Sequence, residues 1–212
     1  MRCRYLIYAR SELPSHILKL ELKPESEPLQ YAAGQYLYIA ANDATNLALP
    51  FSIANAPQPN GHIELHIRVR KDDANLQPLL DAIDANQPLT ISKIAGNCTY
   101  ATICARINRP VLLVVGGTGF AMSKSILEAA AAASDRRKFF LYWAVKSNKG
   151  FYAAQTIDLL QQKLQNLQVN IIATEPNCTH WTGHIGKIDT LLGEPWPQLI
   201  KQQPVVMAAG PF

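Results

Sequence analysis

Apolar and polar positions follow one period in the first half of the chain and another in the second. Arg2 to Arg10 alternates loosely, and Ile17-Leu18-Lys19-Leu20-Glu21-Leu22-Lys23 alternates cleanly until Pro24 stops it. Such alternation sets one face of a strand on a core and the other in water. Gly34 to Ile39, Phe51 to Ala54, Gly61 to Val69 and Pro88 to Ser92 continue the series, with Asn55-Ala56-Pro57 ending the fourth strand. One segment departs from it. Leu76, Leu79, Leu80 and Ile83 fall at helical spacing within Asn75 to Ala85. Short strands separated by turn signals predict a small antiparallel barrel or sandwich.

Beyond Arg109 the period changes. Val111-Leu112-Leu113-Val114-Val115 has no polar break, the mark of a strand buried on both faces of a parallel sheet. Gly116-Gly117-Thr118-Gly119-Phe120 follows at once, and Ala121 to Ala133 reads as a helix. The half continues with a strand at Phe139 to Ala144, a helix at Ala153 to Leu164 and a strand at Val169 to Ala173. A short helix at Ile185 to Leu192 and a last strand at Val205 to Ala209 complete it. Strands alternating with helices predict a doubly wound parallel α/β sheet, whose ligands lie beyond the carboxyl ends of its strands. The glycine cluster and Gly210 both fall there. The change of period near Ala105 to Asn108 divides the chain into expected domains of residues 1–106 and 107–212.

Strand, glycine turn and helix together aim backbone N–H groups and a helix dipole at a phosphate. Gly116, Gly117 and Gly119 allow a sharp turn and leave room for a pyrophosphate, and Thr118 adds a hydroxyl donor. The spacing is neither G-x-G-x-x-G nor a P-loop, so a turn needing glycine only for its conformation is the alternative. The net charge of +4 suits an anionic ligand, yet no run of Lys or Arg favours nucleic acid. No apolar run reaches membrane-spanning length, and the stretch after Met1-Arg2-Cys3-Arg4 is too short for a signal-peptide core. Cys3, Cys98, Cys104 and Cys178 form no C-x-x-C pair, as expected of reduced thiols in a cytoplasmic protein. The histidines show no metal-ligand spacing beyond His62 and His66, and no metal site is expected.

Leu49-Pro50-Phe51-Ser52 sets a small hydroxyl beside an aromatic at a strand end, where the pair could flank a flat ring. The alternative is a core Phe51 and a solvated Ser52. Taken with four other segments, this stretch resembles the ferredoxin–NADP reductase superfamily, and within it the NAD(P)H:flavin oxidoreductases. Ala33-Gly34-Gln35-Tyr36-Leu37 looks like the family's strand after a glycine, and Leu49 to Ser52 resembles its R-x-Y/F-S flavin motif. Gly61 to Ile67 looks like the following strand, and Gly116 to Phe120 matches the nucleotide pyrophosphate loop. Trp181-Thr182-Gly183-His184-Ile185-Gly186 resembles the W-x-G-x-x-G before a short helix.

The resemblance implies an N-terminal flavin-binding antiparallel β-barrel followed by an NAD(P)H-binding α/β domain. It implies that Ser52 hydrogen-bonds near flavin N5, the hydride acceptor, and that Pro50 and Phe51 line the ring pocket. Gly116, Gly117, Thr118, Gly119 and Phe120 would hold the nucleotide, and Gly210 and Pro211 would line the nicotinamide pocket. Gly96-Asn97-Cys98-Thr99 sits at the family's second flavin-phosphate segment. Two departures matter. The motif arginine that meets the flavin phosphate is Leu49, which implies riboflavin, FMN or FAD taken as a passing substrate. The chain ends at Phe212, where the family continues with a helix and a closing segment, so the C-terminal elements are expected to be absent.

The implied activity is hydride transfer from NADH or NADPH to flavin, with a downstream flavin-dependent oxygenase or iron acceptor as the partner. A flavoprotein electron-transfer component with bound flavin is one alternative; a non-catalytic nucleotide-sensing or partner-binding subunit is another.

Overall fold

A computed structural model describes residues 2–41, 47–70, 72–106, 109–175, 181–193 and 196–210, without the side chains of Thr190, Leu191, Leu192 and Trp196. The alternating segments form β1 (Cys3–Leu13), β2 (Ile17–Pro24), β3 (Tyr36–Ala40), β4 (Leu49–Ser52), β5 (Ile63–Arg68) and β6 (Leu89–Ala95). They make one antiparallel sheet in the order β4-β3-β6-β1-β2-β5. An isolated bridge between Ile53 and Leu65 brings the two edge strands together and curls the sheet into a barrel. Inward positions are the apolar ones: Tyr5, Leu20, Leu22, Leu37, Ile39, Leu65 and Ile91 are fully buried. Helix α1 (Gln77–Asp84) packs Leu79, Ala82 and Ile83 on the same core.

The short helix α2 (Tyr100–Cys104) links the barrel to the second half. There the chain forms β7 (Val111–Gly116), α3 (Phe120–Ala132), β8 (Phe139–Val145), α4 (Ala154–Lys163), β9 (Leu167–Ala173), β10 (His184–Ile185), α5 (Ile188–Gly193), α6 (Trp196–Lys201) and β11 (Val205–Ala209). The strands are parallel, in the order β10-β9-β8-β7-β11. Helices α3 and α4 cover one face through Ile126, Leu127, Ile157 and Leu160. Ile188 and Leu199 cover the other, against Leu112, Phe140 and Tyr142. The direction of winding reverses between β7 and β11, which opens a crevice at their carboxyl ends.

Three local readings change. Strand β4 starts at Leu49, so Pro50 lies within it; as an edge strand it tolerates the missing N–H. The helix expected from Ile185 begins only at Ile188, because Gly186 takes φ +132° and Ile185 pairs with Ala173 as strand. Helices α2 and α6 are too short for periodicity to reveal.

Barrel and sheet meet along α3, and the contact is polar. Gly34 N–H donates to Ser125 Oγ at 3.2 Å, and that hydroxyl donates to the Asn55 carbonyl at 2.7 Å. Lys124 Nζ donates to the Ala54 carbonyl at 3.1 Å and pairs with Glu64 at 3.2 Å and Glu128 at 2.7 Å. Ala56 N–H donates to Glu128 at 2.9 Å. A helix buried on its polar residues as well as its apolar ones is a helix held between two bodies.

Candidate functional site

The glycine turn lies at the crevice. Gly117 to Gly119 form a single 3-10 turn between β7 and α3, with Gly117 at φ +51°. Trp143 of β8 donates its Nε1–H to the Gly117 carbonyl at 2.9 Å, which pins the turn to the sheet. Gly116, Gly117 and Thr118 remain partly exposed and available to a ligand. Gly119 is glycine for a different reason. A Cβ there would lie 2.4 Å from the Ala209 carbonyl oxygen, so its bareness lets the end of β11 approach the turn. Gly210, at φ +151°, does the same from the opposite side, its would-be Cβ meeting Gly116 N at 2.9 Å.

Phe120 departs from its expected role as a nucleotide contact. Its ring is wholly buried and stacks on Trp143, with centroids 4.2 Å apart and planes 9° from parallel. The residue closes the turn from beneath and presents nothing to a ligand. Pro211 lies outside the described residues.

Strand alternation sorts the second cluster. Tyr36 is opposite Ser52, Leu37 opposite Phe51, Tyr38 opposite Pro50 and Ile39 opposite Leu49. Leu37 and Ile39 are fully buried, so Leu49 and Phe51 turn with them towards the barrel core. Ser52 and Pro50 share the outward face with Tyr36 and Tyr38, whose rings stand 5.6 Å apart. Phe51 was expected to flank a ring; the aromatic surface beside Ser52 comes from the two tyrosines instead. Gly96, at φ +105°, leaves room for Tyr36, since a Cβ there would press on the ring at 3.1 Å. Thr99 of the expected phosphate segment serves as the N-cap of α2, accepting from Thr102 N–H at 3.2 Å.

Arg68 brings the barrel up to the glycine turn, and the sequence did not point to it. It ends β5 on the outward side, and a Cβ on Gly117 would lie 3.4 Å from its guanidinium. It makes no ion pair among the described residues. A cation from one body leaning on the glycine turn of the other fits a phosphate group. The signal was present in the alternation of β5, where Glu64, His66 and Arg68 fall on one face, but nothing in the chain said what that face would meet.

Beside Arg68 runs a buried polar chain. His66 Nε2 lies 2.8 Å from Glu64 and its Nδ1 2.9 Å from the Tyr152 hydroxyl. Burial opposes ionisation of Glu64, but the His66 hydrogen bond and the Lys124 ammonium outweigh it and hold the carboxyl down to about 2. Burial pushes the Tyr152 phenol well above its ordinary range. His66 is thus a satisfied interface residue. No group of three or more metal-ligating side chains occurs among the described residues, and none of their helices is long and apolar enough to cross a membrane.

Two family models match the chain in succession. The FAD-binding domain family matches residues 5–86, and the oxidoreductase NAD-binding domain family matches residues 113–212. An NAD(P)H-flavin reductase of Vibrio harveyi is 29% identical over 193 residues, covering 88% of this chain and 78% of its own. A CDP-6-deoxy-L-threo-D-glycero-4-hexulose-3-dehydrase reductase of Yersinia pestis is 32% identical over 186 residues, and the match covers 86% of this chain but only 53% of that longer protein. The solved ferredoxin reductase of carbazole 1,9a-dioxygenase superposes with a TM-score of 0.84 at 20% identity, covering 100% of this chain and 61% of its own. At that identity the likeness speaks for the fold alone. With a flavin-type barrel and a nicotinamide-type sheet matched in this order, the chain belongs to the ferredoxin–NADP reductase superfamily, near its flavin reductases.

Proposed function

We propose that the protein is an NAD(P)H:flavin oxidoreductase, with residues 1–106 as its flavin domain and 107–212 as its nucleotide domain. The observation that carries the reading is the approach of Arg68, on the barrel's outward face, to Gly117 of the glycine turn. The outer side of the barrel and the glycine turn therefore share one seam.

The backbone of Gly116 to Thr118 and the Arg68 guanidinium hold the nucleotide phosphates. Tyr36, Tyr38 and Pro50 line the face that takes the flavin, and the Ser52 hydroxyl bonds to the polar edge of its ring. When both are bound, the nicotinamide supplies a hydride and the flavin accepts it. The protein's task is then to orient two rings and keep them together, which needs no acid–base pair. A freely released reduced flavin would serve a flavin-dependent oxygenase or an iron acceptor in the cytoplasm.

Steady-state oxidation of NADH and NADPH in the presence of riboflavin tests the reading. Turnover that saturates in both substrates, from a protein that purifies colourless, is the expected result. A folded protein that oxidises neither nucleotide overturns it. One that purifies yellow with stoichiometric flavin moves the electron-transfer reading ahead.

A further inference from the structure

The outward face that carries Ser52 also carries a lysine. In the β3–β6 register Tyr38 is opposite Lys93 and Tyr36 opposite Ala95. Ser52, Tyr36 and Ala95 therefore form one row across three strands, and Pro50, Tyr38 and Lys93 form the next, about 7 Å further along at two residues of strand rise. Lys93 is exposed, and its ammonium stands over the Tyr38 ring, 5.9 Å from the centroid. No carboxylate pairs with it among the described residues. At that distance the ring face attracts the charge. Leu49, at the position where the family places its flavin-phosphate cation, turns into the barrel and lines an apolar cleft with Ile39, Pro78 and Leu79.

We propose that Lys93 is the cation that meets the phosphate of FMN, and of the FMN portion of FAD. This rests on the flavin reading above. A ring whose polar edge meets Ser52 lies on the first row, and a chain leaving it along β3 arrives at the second. The charge comes from a neighbouring strand of the barrel instead of from the motif strand. The site then tells a phosphorylated flavin from riboflavin, although its motif lacks the arginine.

Quenching of flavin fluorescence on titration with the protein, without nucleotide, reads the two affinities directly. The exposed pair is screened by water, so the wild-type protein should bind FMN roughly fivefold more tightly than riboflavin. Lys93→Gln should bring that ratio close to one, Lys93→Arg should preserve it, and about 0.5 M salt should shrink it in the wild type and in Lys93→Arg but not in Lys93→Gln. Equal wild-type affinities, or an FMN preference that survives Lys93→Gln, overturns the role of Lys93 while riboflavin binding leaves the flavin reading standing. A folded protein that quenches neither flavin overturns both.

Discussion

Ser52 and Arg68 are the two residues whose chemistry the proposed activity needs most. Ser52 offers one neutral hydrogen bond, so Ser52→Ala should lower kcat/KM for flavin about three- to tenfold. The nucleotide KM should stay within twofold of its original value, and steady-state kinetics with each substrate varied in turn separates the two effects. Arg68 offers a charge in a seam between two bodies. Arg68→Gln should raise the nucleotide KM about tenfold and flatten its dependence on ionic strength. An unchanged salt dependence would remove Arg68 from the phosphate site. Leu49 has no such role: Leu49→Arg would drive a guanidinium towards the cleft formed with Ile39 and Leu79, and its expected effect is a lower Tm.

At the scale of elements, the turn between β7 and α3 is built by contact as much as by ligand. The sequence marks Gly119 as space for a pyrophosphate, whereas the carbonyl of Ala209 already occupies that direction at 2.4 Å from a would-be Cβ. Gly119→Val should therefore separate β11 from β7 and lower the thermal stability of the whole α/β half. A variant with an unchanged Tm and only a weakened nucleotide would restore the simpler reading. Phe120→Ala removes a ring stacked on Trp143 and should cost about 3–5 kcal/mol in chemical denaturation. The turn's position depends on that stack, because the same indole donates to the Gly117 carbonyl.

Across the whole molecule, the polar contact along α3 makes stability depend on acid. Glu64 titrates near 2 in the folded protein against an ordinary value of 4.5. A depressed carboxyl stabilises the fold fully above its unfolded pKa and loses that contribution as pH falls through the folded one. Melting temperatures should thus decline between about pH 4.5 and pH 2, and more steeply in the wild type than in Glu64→Gln. The variant should also be less stable at pH 7, because Lys124 and His66 lose their shared carboxylate.

Much of this architecture was legible along the chain. Period-two runs such as Ile17 to Lys23 determine which residues line a barrel, and an unbroken run such as Val111 to Val115 demands cover on both faces. The glycines at 116, 117 and 119 announce a turn at a strand's carboxyl end, because glycine is the residue that most readily takes such conformations. These are local constraints, and local constraints can be read in order. What only the tertiary structure decided is which face meets which. Pairing of β4 with β3 turned Phe51 and Leu49 inward and made Tyr36 and Tyr38 the outward surface beside Ser52. Closure of the barrel onto α3 enclosed Lys124 and His66, two residues that pattern alone assigns to water. The approach of β5 to the turn set Arg68 against Gly117, a contact between residues 49 positions apart. Side-chain identity determines what a group can do, while strand register and the meeting of two bodies determine what it stands next to.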